Sequence, residues 1–365
     1  MKITQISYTG FGGLGSVAFS LVAADKSQEH SWQVAFIGDQ ELDASYPARC
    51  EQYSVEYAAF RTKPGRPYSA WIALARWLGK KRPEVVICHS STSILACRWY
   101  SWLHRAKLIA VEHTPNQVKT RNEWAASRMC MLLADKVVVL TEEYRNELQM
   151  AYGRLFRTKK VLVIPNGIDT AVFYPKATHE TGKKTRIRLG MAARFFFSKR
   201  QDLLIAVMER LAELHTQFYF ELVLAGDGSE FESVKKQAEA SPVASQVSFE
   251  GLLSENDIAP WLRELDIYVH ATEGETLSTS LLQAMATGLP IIASDIPGVK
   301  NLLGSPEQYG ICVRNEVETF TQAVFRLVNE PDLASVLGRS ARERVVITYS
   351  STVMLKRYLD IICSV

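Results

Sequence analysis

Short apolar runs alternate with helical segments along the chain, and the whole pattern begins a second time near residue 187. In the first half, the runs at 84–88 and 107–111 are almost continuously apolar, which is typical of parallel strands covered by helices on both faces. In the second half, similar runs occur at 187–191 and 218–225. The sequence therefore predicts an α/β protein with two units, each built on a parallel sheet.

A stretch rich in turn residues separates the two units, and a length of 365 residues suits two domains. We predict a first domain over 1–168, an inter-domain linker over 169–186 and a second domain over 187–345. A final helix over 346–365 is expected to pack back on the first domain. Ligands of such folds bind outside the carboxyl ends of the strands, so a cleft between the two sheets is the expected site.

The segment from 270 to 290 carries the strongest chemical signal. An apolar strand leads into an acidic turn, and a helix with a Ser/Thr-rich first turn follows. The free N–H groups at such a helix start suit a diphosphate, and the amides near Leu277, Ser278 and Thr279 are the candidates. Glu275 could accept hydrogen bonds from sugar hydroxyls, and Gln283 could reach a ribose. The structural alternative is a helix that Ser278 caps and whose dipole Glu275 favours.

Two cations follow the strand at 187–191 and flank the next helix. Arg194 offers a planar fork and Lys199 a compact charge, and both suit phosphate oxygens, although ordinary surface charge would look the same. No Asp-x-Asp triplet occurs in the chain to supply oxygen ligands for a metal that bridges a diphosphate. The two cations and the helix start could supply the positive charge instead, so no metal and no other cofactor is expected.

These motifs resemble those of the retaining glycosyltransferase family 4, which has the GT-B fold. Arg194 and Lys199 match the family's Arg–x4–Lys pair, and Glu275 takes the first place of its Glu–x7–Glu motif. The segment 284–290, Ala-Met-Ala-Thr-Gly-Leu-Pro, matches the tail of that motif. The resemblance implies two Rossmann-like domains whose parallel sheets face each other across a cleft. It also implies a nucleotide-sugar donor bound mainly by the second domain.

One position departs from the family pattern, because Gln283 stands where the family has a second glutamate that bonds the ribose. A glutamine still accepts a hydrogen bond, so weaker donor binding is expected rather than lost activity. The family's first glutamate contacts the donor sugar near its 3-hydroxyl, a role that Glu275 inherits. The resemblance gives catalytic roles to Glu275, His113, Arg194 and Lys199, and donor contacts to Gly13, Gly15, Arg194, Lys199, Gly251, Leu252, Glu275, Leu277, Ser278, Thr279 and Gln283.

The first half offers a glycine-rich turn and two histidines. Residues 12–15 resemble the family's glycine-rich loop, and the longer turn 10–15 also fits a dinucleotide-binding Gly-x-Gly-x-x-Gly followed by a strand that ends near Asp39. An NAD-dependent oxidoreductase therefore stays open as an alternative. His113 follows the strand at 107–111 and resembles the family's cleft histidine, whereas a lone histidine is more often structural. His89, after the strand at 84–88, is a weaker candidate.

Charge and tryptophan are concentrated in the first half. Residues 1–170 hold 22 Lys and Arg against 15 Asp and Glu, and five of the seven tryptophans fall between 71 and 124. The segments 61–82 and 98–107 interleave basic and aromatic residues, which suits an anionic membrane surface or a lipid diphosphate acceptor; core tryptophans beside solvated charges are the alternative. No apolar run is long enough to span a membrane and the N-terminus lacks a signal-peptide core.

The sequence thus predicts a metal-independent enzyme that moves a sugar from a nucleoside-diphosphate sugar, most simply a UDP-sugar, to a hydroxyl of a glycan or lipid-linked acceptor. By the resemblance it retains the anomeric configuration and acts in bacterial surface polysaccharide or lipopolysaccharide assembly. We expect a cytoplasmic protein, peripheral at the inner face of the inner membrane, with no nucleic-acid partner. A non-catalytic nucleotide-sugar-binding protein, with Gln283 as a sign of decay, is the second alternative.

Overall fold

The computed structural model describes residues 1–10, 13–63, 67–114, 116, 119–176, 185–214, 217–304 and 306–363, except the side chains of Leu14, Ser16 and Glu255. The chain divides into two compact units, Met1–Asp169 with Ser351–Val365, and Thr170–Ser350. Within the described residues, no helix has both the length and the apolar character needed to span a bilayer.

The first unit contains a parallel sheet of seven strands. Its spatial order is β3-β2-β1-β4-β5-β6-β7, so the chain starts in the middle, builds outward to β3 and then returns to the other side of β1. This reversal is the topological switch of a doubly wound fold. The strands are β1 Lys2–Ser7, β2 Ser31–Gly38, β3 Glu56–Arg61, β4 Val85–Cys88, β5 Lys107–Glu112, β6 Lys136–Val139 and β7 Val161–Val163.

Helices cover both faces of this sheet, and each face has its own apolar core. The last helix of the chain belongs here, because its buried residues Met354, Leu355, Tyr358 and Ile362 pack into the same core as Phe19 of the first helix. The helices are α1 Gly13–Ala24, α2 Ser45–Gln52, α3 Tyr68–Lys81, α4 Ile94–His104, α5 Arg121–Leu133, α6 Glu142–Tyr152 and, at the end of the chain, α14 Ser351–Cys363.

The second unit repeats the design with a parallel sheet of six strands in the order β10-β9-β8-β11-β12-β13. Here β8 and β11 are neighbours and mark the switch point. The strands are β8 Arg186–Ala192, β9 Tyr219–Ala225, β10 Val247–Gly251, β11 Ile267–His270, β12 Ile291–Ser294 and β13 Ile311–Val313. The helices are α7 Gln201–Glu213, α8 Phe231–Ala240, α9 Glu255–Arg263, α10 Thr279–Ala286, α11 Pro297–Leu303, α12 Val317–Asn329 and α13 Pro331–Thr348.

The prediction of two parallel-sheet α/β units is confirmed. Four elements were not predicted from the sequence, and all are short or lie at the margin of a sheet: α2, β3, α11 and β13. The strand β3 shows why, because it is an edge strand whose residues are mostly exposed or half-exposed. An edge strand does not need the continuous apolar run by which a central parallel strand is recognised.

Candidate active site

The loops after β8 and β11 meet at the carboxyl edge of the second sheet, because these strands are parallel neighbours. Lys199, from the first loop, and Thr272, from the second, form an isolated antiparallel bridge. The amide of Glu273 also donates to the carbonyl of Ser198 at 2.8 Å. The backbone thus fixes the two loops to each other and places their polar side chains in one cluster.

Lys199 and Glu275 form an ion pair at the centre of this cluster. The Lys199 Nζ donates to Oε2 of Glu275 and, at 3.2 Å, to Oγ1 of Thr272. Both charged side chains are mostly buried, with 17% and 18% exposed. A lysine ammonium carries three hydrogens, so these two contacts leave one N–H for a further acceptor.

Glu275 keeps one carboxylate oxygen without a protein partner. The contact with Lys199 and the 3.5 Å approach of His270 Nε2 both involve Oε2. Among the described residues, Oε1 accepts no hydrogen bond. Burial alone would raise the pKa of Glu275, but the His270 contact and the Lys199 charge outweigh it and lower the pKa to about 2. Glu275 is therefore a carboxylate at neutral pH. Its Oε1 is a hydrogen-bond acceptor without a partner among the described residues, and it lies beside the remaining N–H donor of Lys199.

The helix α10 begins three residues after Glu275 with an N-cap at Ser278. The Ser278 hydroxyl accepts from the amide of Leu281 at 3.3 Å, as the structural alternative predicted. This cap satisfies one amide of the first turn and leaves those of Thr279 and Ser280 without an intrahelical acceptor. Leu277 is buried and anchors the turn. Capping and anion binding are therefore compatible at this helix start.

Two glycines allow backbone segments to approach the site closely. A Cβ on Gly298, in the first turn of α11, would lie 2.2 Å from the carbonyl oxygen of Glu275. A Cβ on Gly226 would lie 2.0 Å from the carbonyl oxygen of Ala193, where φ is also +134°. Any larger residue at these positions would push the loop that carries Glu275 or the loop that carries Lys199.

The other residues of the second unit that are predicted to bind the nucleotide-sugar donor lie on the same sheet edge but make fewer contacts. Arg194 is exposed after β8, and among the described residues its guanidinium makes no hydrogen bond or ion pair. Gln283 is half-buried in α10, and within the same residues its side-chain amide is unbonded. Gly251 ends β10 with φ of +65°, and its carbonyl accepts from Gly226 at 2.7 Å. Leu252, the next residue, is 55% exposed.

The first unit holds the remaining predicted residues. His113 follows β5 and hydrogen-bonds to His89, which follows β4, with 3.1 Å between His113 Nε2 and His89 Nδ1. Gly13 begins α1, and a Cβ on Gly15 would lie 2.2 Å from the hydroxyl of Tyr46. Residues 11 and 12 of the glycine-rich turn lie outside the described residues. Asp39, the acid of the dinucleotide alternative, accepts from the Tyr8 hydroxyl at 2.5 Å.

Sequence reasoning missed the residues that support the site from behind. Thr272 is fully buried, its amide donates to Ser294 Oγ at 2.7 Å, and Asn315 Nδ2 donates to its carbonyl at 3.0 Å. His270 is also buried, and burial lowers its pKa despite the neighbouring Glu275. The only available signal was a polar residue at the end of an apolar strand, which occurs in β11 and in β12.

Two Rossmann-like units, with an ion-paired lysine and a helix start at the carboxyl edge of the second, define a protein with the GT-B fold. Within the described residues, no group of three His, Cys, Asp or Glu side chains could hold a metal ion. Sequence models of two families match the chain, "Glycosyltransferase Family 4" over residues 11–172 and "Glycosyl transferases group 1" over 176–344. The chain therefore combines the domains of these two glycosyltransferase families, one in each unit.

Similar proteins agree with this assignment. An uncharacterized glycosyltransferase of Haemophilus influenzae is 29% identical over 62% of this chain, and the match covers 59% of that relative. The lipopolysaccharide core biosynthesis mannosyltransferase LpcC of Rhizobium leguminosarum bv. viciae is 27% identical over 50% of this chain and 54% of its own length. The crystal structure of HepE of Anabaena in complex with UDP and glucose has a TM-score of 0.82, 16% identity and full coverage of both chains. At that identity the likeness concerns the fold.

Proposed function

We propose that this protein transfers a sugar from a nucleoside-diphosphate sugar, a UDP-sugar, to a hydroxyl of a glycan or lipid-linked acceptor, with retention of the anomeric configuration. The observation that carries the proposal is the Lys199–Glu275 pair, which leaves one N–H of the lysine and Oε1 of the glutamate unbonded among the described residues. The spare donor suits a phosphate oxygen, and the spare acceptor suits a sugar hydroxyl. A nucleotide sugar carries both groups.

The proposed step breaks the bond between the anomeric carbon and the diphosphate, and the electron pair leaves with the diphosphate. The acceptor hydroxyl oxygen bonds to the same carbon on the same face, and its proton passes to a departing phosphate oxygen. Lys199, Arg194 and the amides near Ser278 stabilise the developing negative charge. Glu275 orients the sugar rather than attacking it, because its pKa of about 2 and its partners Lys199 and His270 make it a weak nucleophile.

We further propose that no divalent metal takes part in donor binding. A metal in such a site would neutralise the diphosphate, and the Lys199 ammonium and the free amides at the α10 start support the proposal because they could supply positive charge instead. His113 and the glycine-rich turn are proposed to contact the donor from the first unit, as the family resemblance implies.

UDP is expected to raise the melting temperature whether EDTA or Mg²⁺ is present, and NADH is expected to leave it unchanged. Binding at a hundredfold excess over Kd stabilises the folded state by about 2.7 kcal/mol. Differential scanning fluorimetry with UDP, UDP-glucose, NAD and NADH measures this, and a UDP-release assay with a panel of acceptors tests turnover. Stabilisation by NADH and not by UDP would favour the oxidoreductase. UDP binding that depends on Mg²⁺ would reject metal independence. Binding of UDP without its release from any nucleotide sugar would favour a non-catalytic protein.

The acceptor proposal rests on an exposed apolar stripe along α4. Leu95, Trp99, Trp102 and Leu103 recur at helical spacing on one side of this helix, and their exposed fractions are 41%, 66%, 72% and 54%. The basic residue Arg105 is the C-cap of this helix, and the half of the chain to which it belongs is rich in Lys and Arg. By contrast Trp71, Trp77 and Trp124 pack partly against the core. We propose that the stripe lies in an anionic membrane surface that carries the acceptor.

Replacing Trp99 and Trp102 together with serine is expected to weaken binding to phosphatidylglycerol-containing vesicles at least tenfold. Burial of a large apolar side chain contributes roughly 1.5–3 kcal/mol, so partial burial of two indoles accounts for such a loss. Vesicle co-sedimentation measures it, and Ile347→Ser, which alters a residue in the second unit that is 73% exposed, is the matched control. Equal binding by the double variant and the control would reject the membrane surface.

A further inference from the structure

Three side chains of the first unit form a hydrogen-bonded chain that ends at His113. Gln5 lies in β1, His89 follows β4 and His113 follows β5, and these three strands are consecutive neighbours in the sheet. His89 Nε2 lies 3.0 Å from Oε1 of Gln5, and His89 Nδ1 lies 3.1 Å from Nε2 of His113. The strand register brings these three residues near one another, since Ile6 pairs with Cys88 and Cys88 with Ala110.

Gln5, at the end of this hydrogen-bonded chain opposite His113, determines which atom donates in each of the two hydrogen bonds. Gln5 Nε2 donates to the carbonyl of Ala18 at 2.8 Å, so Oε1 of the same amide must be the acceptor that faces His89. His89 therefore carries its proton on Nε2 and has a lone pair on Nδ1. That lone pair requires a donor, so His113 carries its proton on Nε2. In a neutral ring, Nδ1 of His113 is then left with a lone pair.

Burial keeps the two histidines of this hydrogen-bonded chain neutral. Gln5 is fully buried and His89 is 3% exposed, so water cannot readily replace either link. Burial lowers the pKa of His89 well below its usual value, with a contribution from His113, and burial lowers the pKa of His113 to about 4. Among the described residues, no side chain or backbone group hydrogen-bonds to Nδ1 of the half-buried His113.

We propose that His89 and Gln5 are positioning residues that hold His113 in its Nε2–H tautomer, so that Nδ1 can only accept a hydrogen bond from a substrate hydroxyl. The identity of that hydroxyl as part of a sugar rests on the proposed function. The tautomer itself does not, because it follows from contacts within the free protein. His113 accordingly favours a hydroxyl, which can donate a hydrogen bond to Nδ1, and disfavours any group that is only a hydrogen-bond acceptor.

Histidine-selective ¹⁵N NMR of the free protein tests the tautomer directly. In the wild type we expect one His113 signal set with a protonated Nε2 and an unprotonated Nδ1. Gln5→Leu removes the acceptor that orients His89, so both histidines should populate two tautomers. The matched control is Gln33→Leu, which removes another buried glutamine of the same sheet that bonds to Thr4 and Glu56 instead. A protonated Nδ1 on wild-type His113 would overturn the proposal without any variant.

Kinetics test the substrate-facing half of the proposal. With a donor that turns over, kcat/KM of Gln5→Leu is expected to fall about two- to tenfold relative to Gln33→Leu, which corresponds to one neutral hydrogen bond. Equal values for the two variants, despite a changed tautomer in Gln5→Leu, would overturn the contact between Nδ1 and the substrate. A protein that neither binds UDP nor releases it would reject the proposed function, while the NMR result on the tautomer would stand.

Discussion

Replacing Glu275 with alanine is expected to lower kcat/KM by more than tenfold, a loss of transition-state stabilisation above about 1.4 kcal/mol. The substitution removes Oε1, which no described residue bonds, together with the charge that pairs with Lys199. A substrate hydroxyl then loses its acceptor, and the lysine loses the partner that holds its position. Steady-state kinetics with a UDP-sugar that the wild-type protein turns over measure this loss in kcat/KM.

The same turn provides a matched control for Glu275→Ala. Glu273 is two residues away and exposed, and its carboxylate pairs with Arg200 at 3.1 Å rather than with Lys199. Glu273→Ala removes an equal charge from the turn, and a surface change of this kind is expected to alter kcat/KM by no more than about twofold. Near-normal turnover of Glu275→Ala, or equal losses in the two variants, would reject the role given to Glu275.

The fold was largely predictable because central parallel strands and their helices carry strong local signals. The strand β4, Val85–Cys88, is buried at all four positions. A short, fully apolar run of this kind between two helical segments indicates a central parallel strand. By contrast, β13 has three residues and α11 has seven, and both depend on neighbouring elements for their formation. The connectivity of the sheets, such as β8 beside β11, is set by long-range pairing that no local pattern contains.

The sequence indicates that Lys199 and Glu275 follow the ends of apolar strands, and the structure brings both residues to one sheet edge. Their direct ion pair was not predicted, because it depends on the bridge between Lys199 and Thr272. The support of Thr272 by Asn315 was also missed, since the two residues are 43 positions apart. The donor-contact roles of Gly13, Gly15 and the other predicted residues stay predictions, because a contact with a ligand is not a property of the chain alone.

Replacing Lys199 with methionine is expected to lower kcat/KM by roughly 10²–10³-fold, the usual effect of removing one preorganised donor from a site of developing negative charge. Methionine keeps much of the apolar stem and removes all three N–H donors, including the one left over after Glu275 and Thr272 are bonded. Rapid-mixing and steady-state kinetics are expected to place most of this loss in kcat, because the charge on the departing diphosphate grows in the transition state.

The loss in Lys199→Met must be separated from a general loss of folding, because the variant also leaves a largely buried carboxylate at Glu275 with His270 as its remaining partner. Lys300→Met provides the comparison, since Lys300 belongs to the same unit and pairs with Asp295 at 2.6 Å, yet is 48% exposed. Lys199→Arg should recover little, because a planar guanidinium cannot direct one donor each to Glu275, to Thr272 and to the proposed phosphate oxygen in the geometry of an ammonium. If Lys199→Met kept its kcat and lost only stability, the lysine would be a structural partner of Glu275, and the charge of the diphosphate would have to be met by Arg194 and the start of α10.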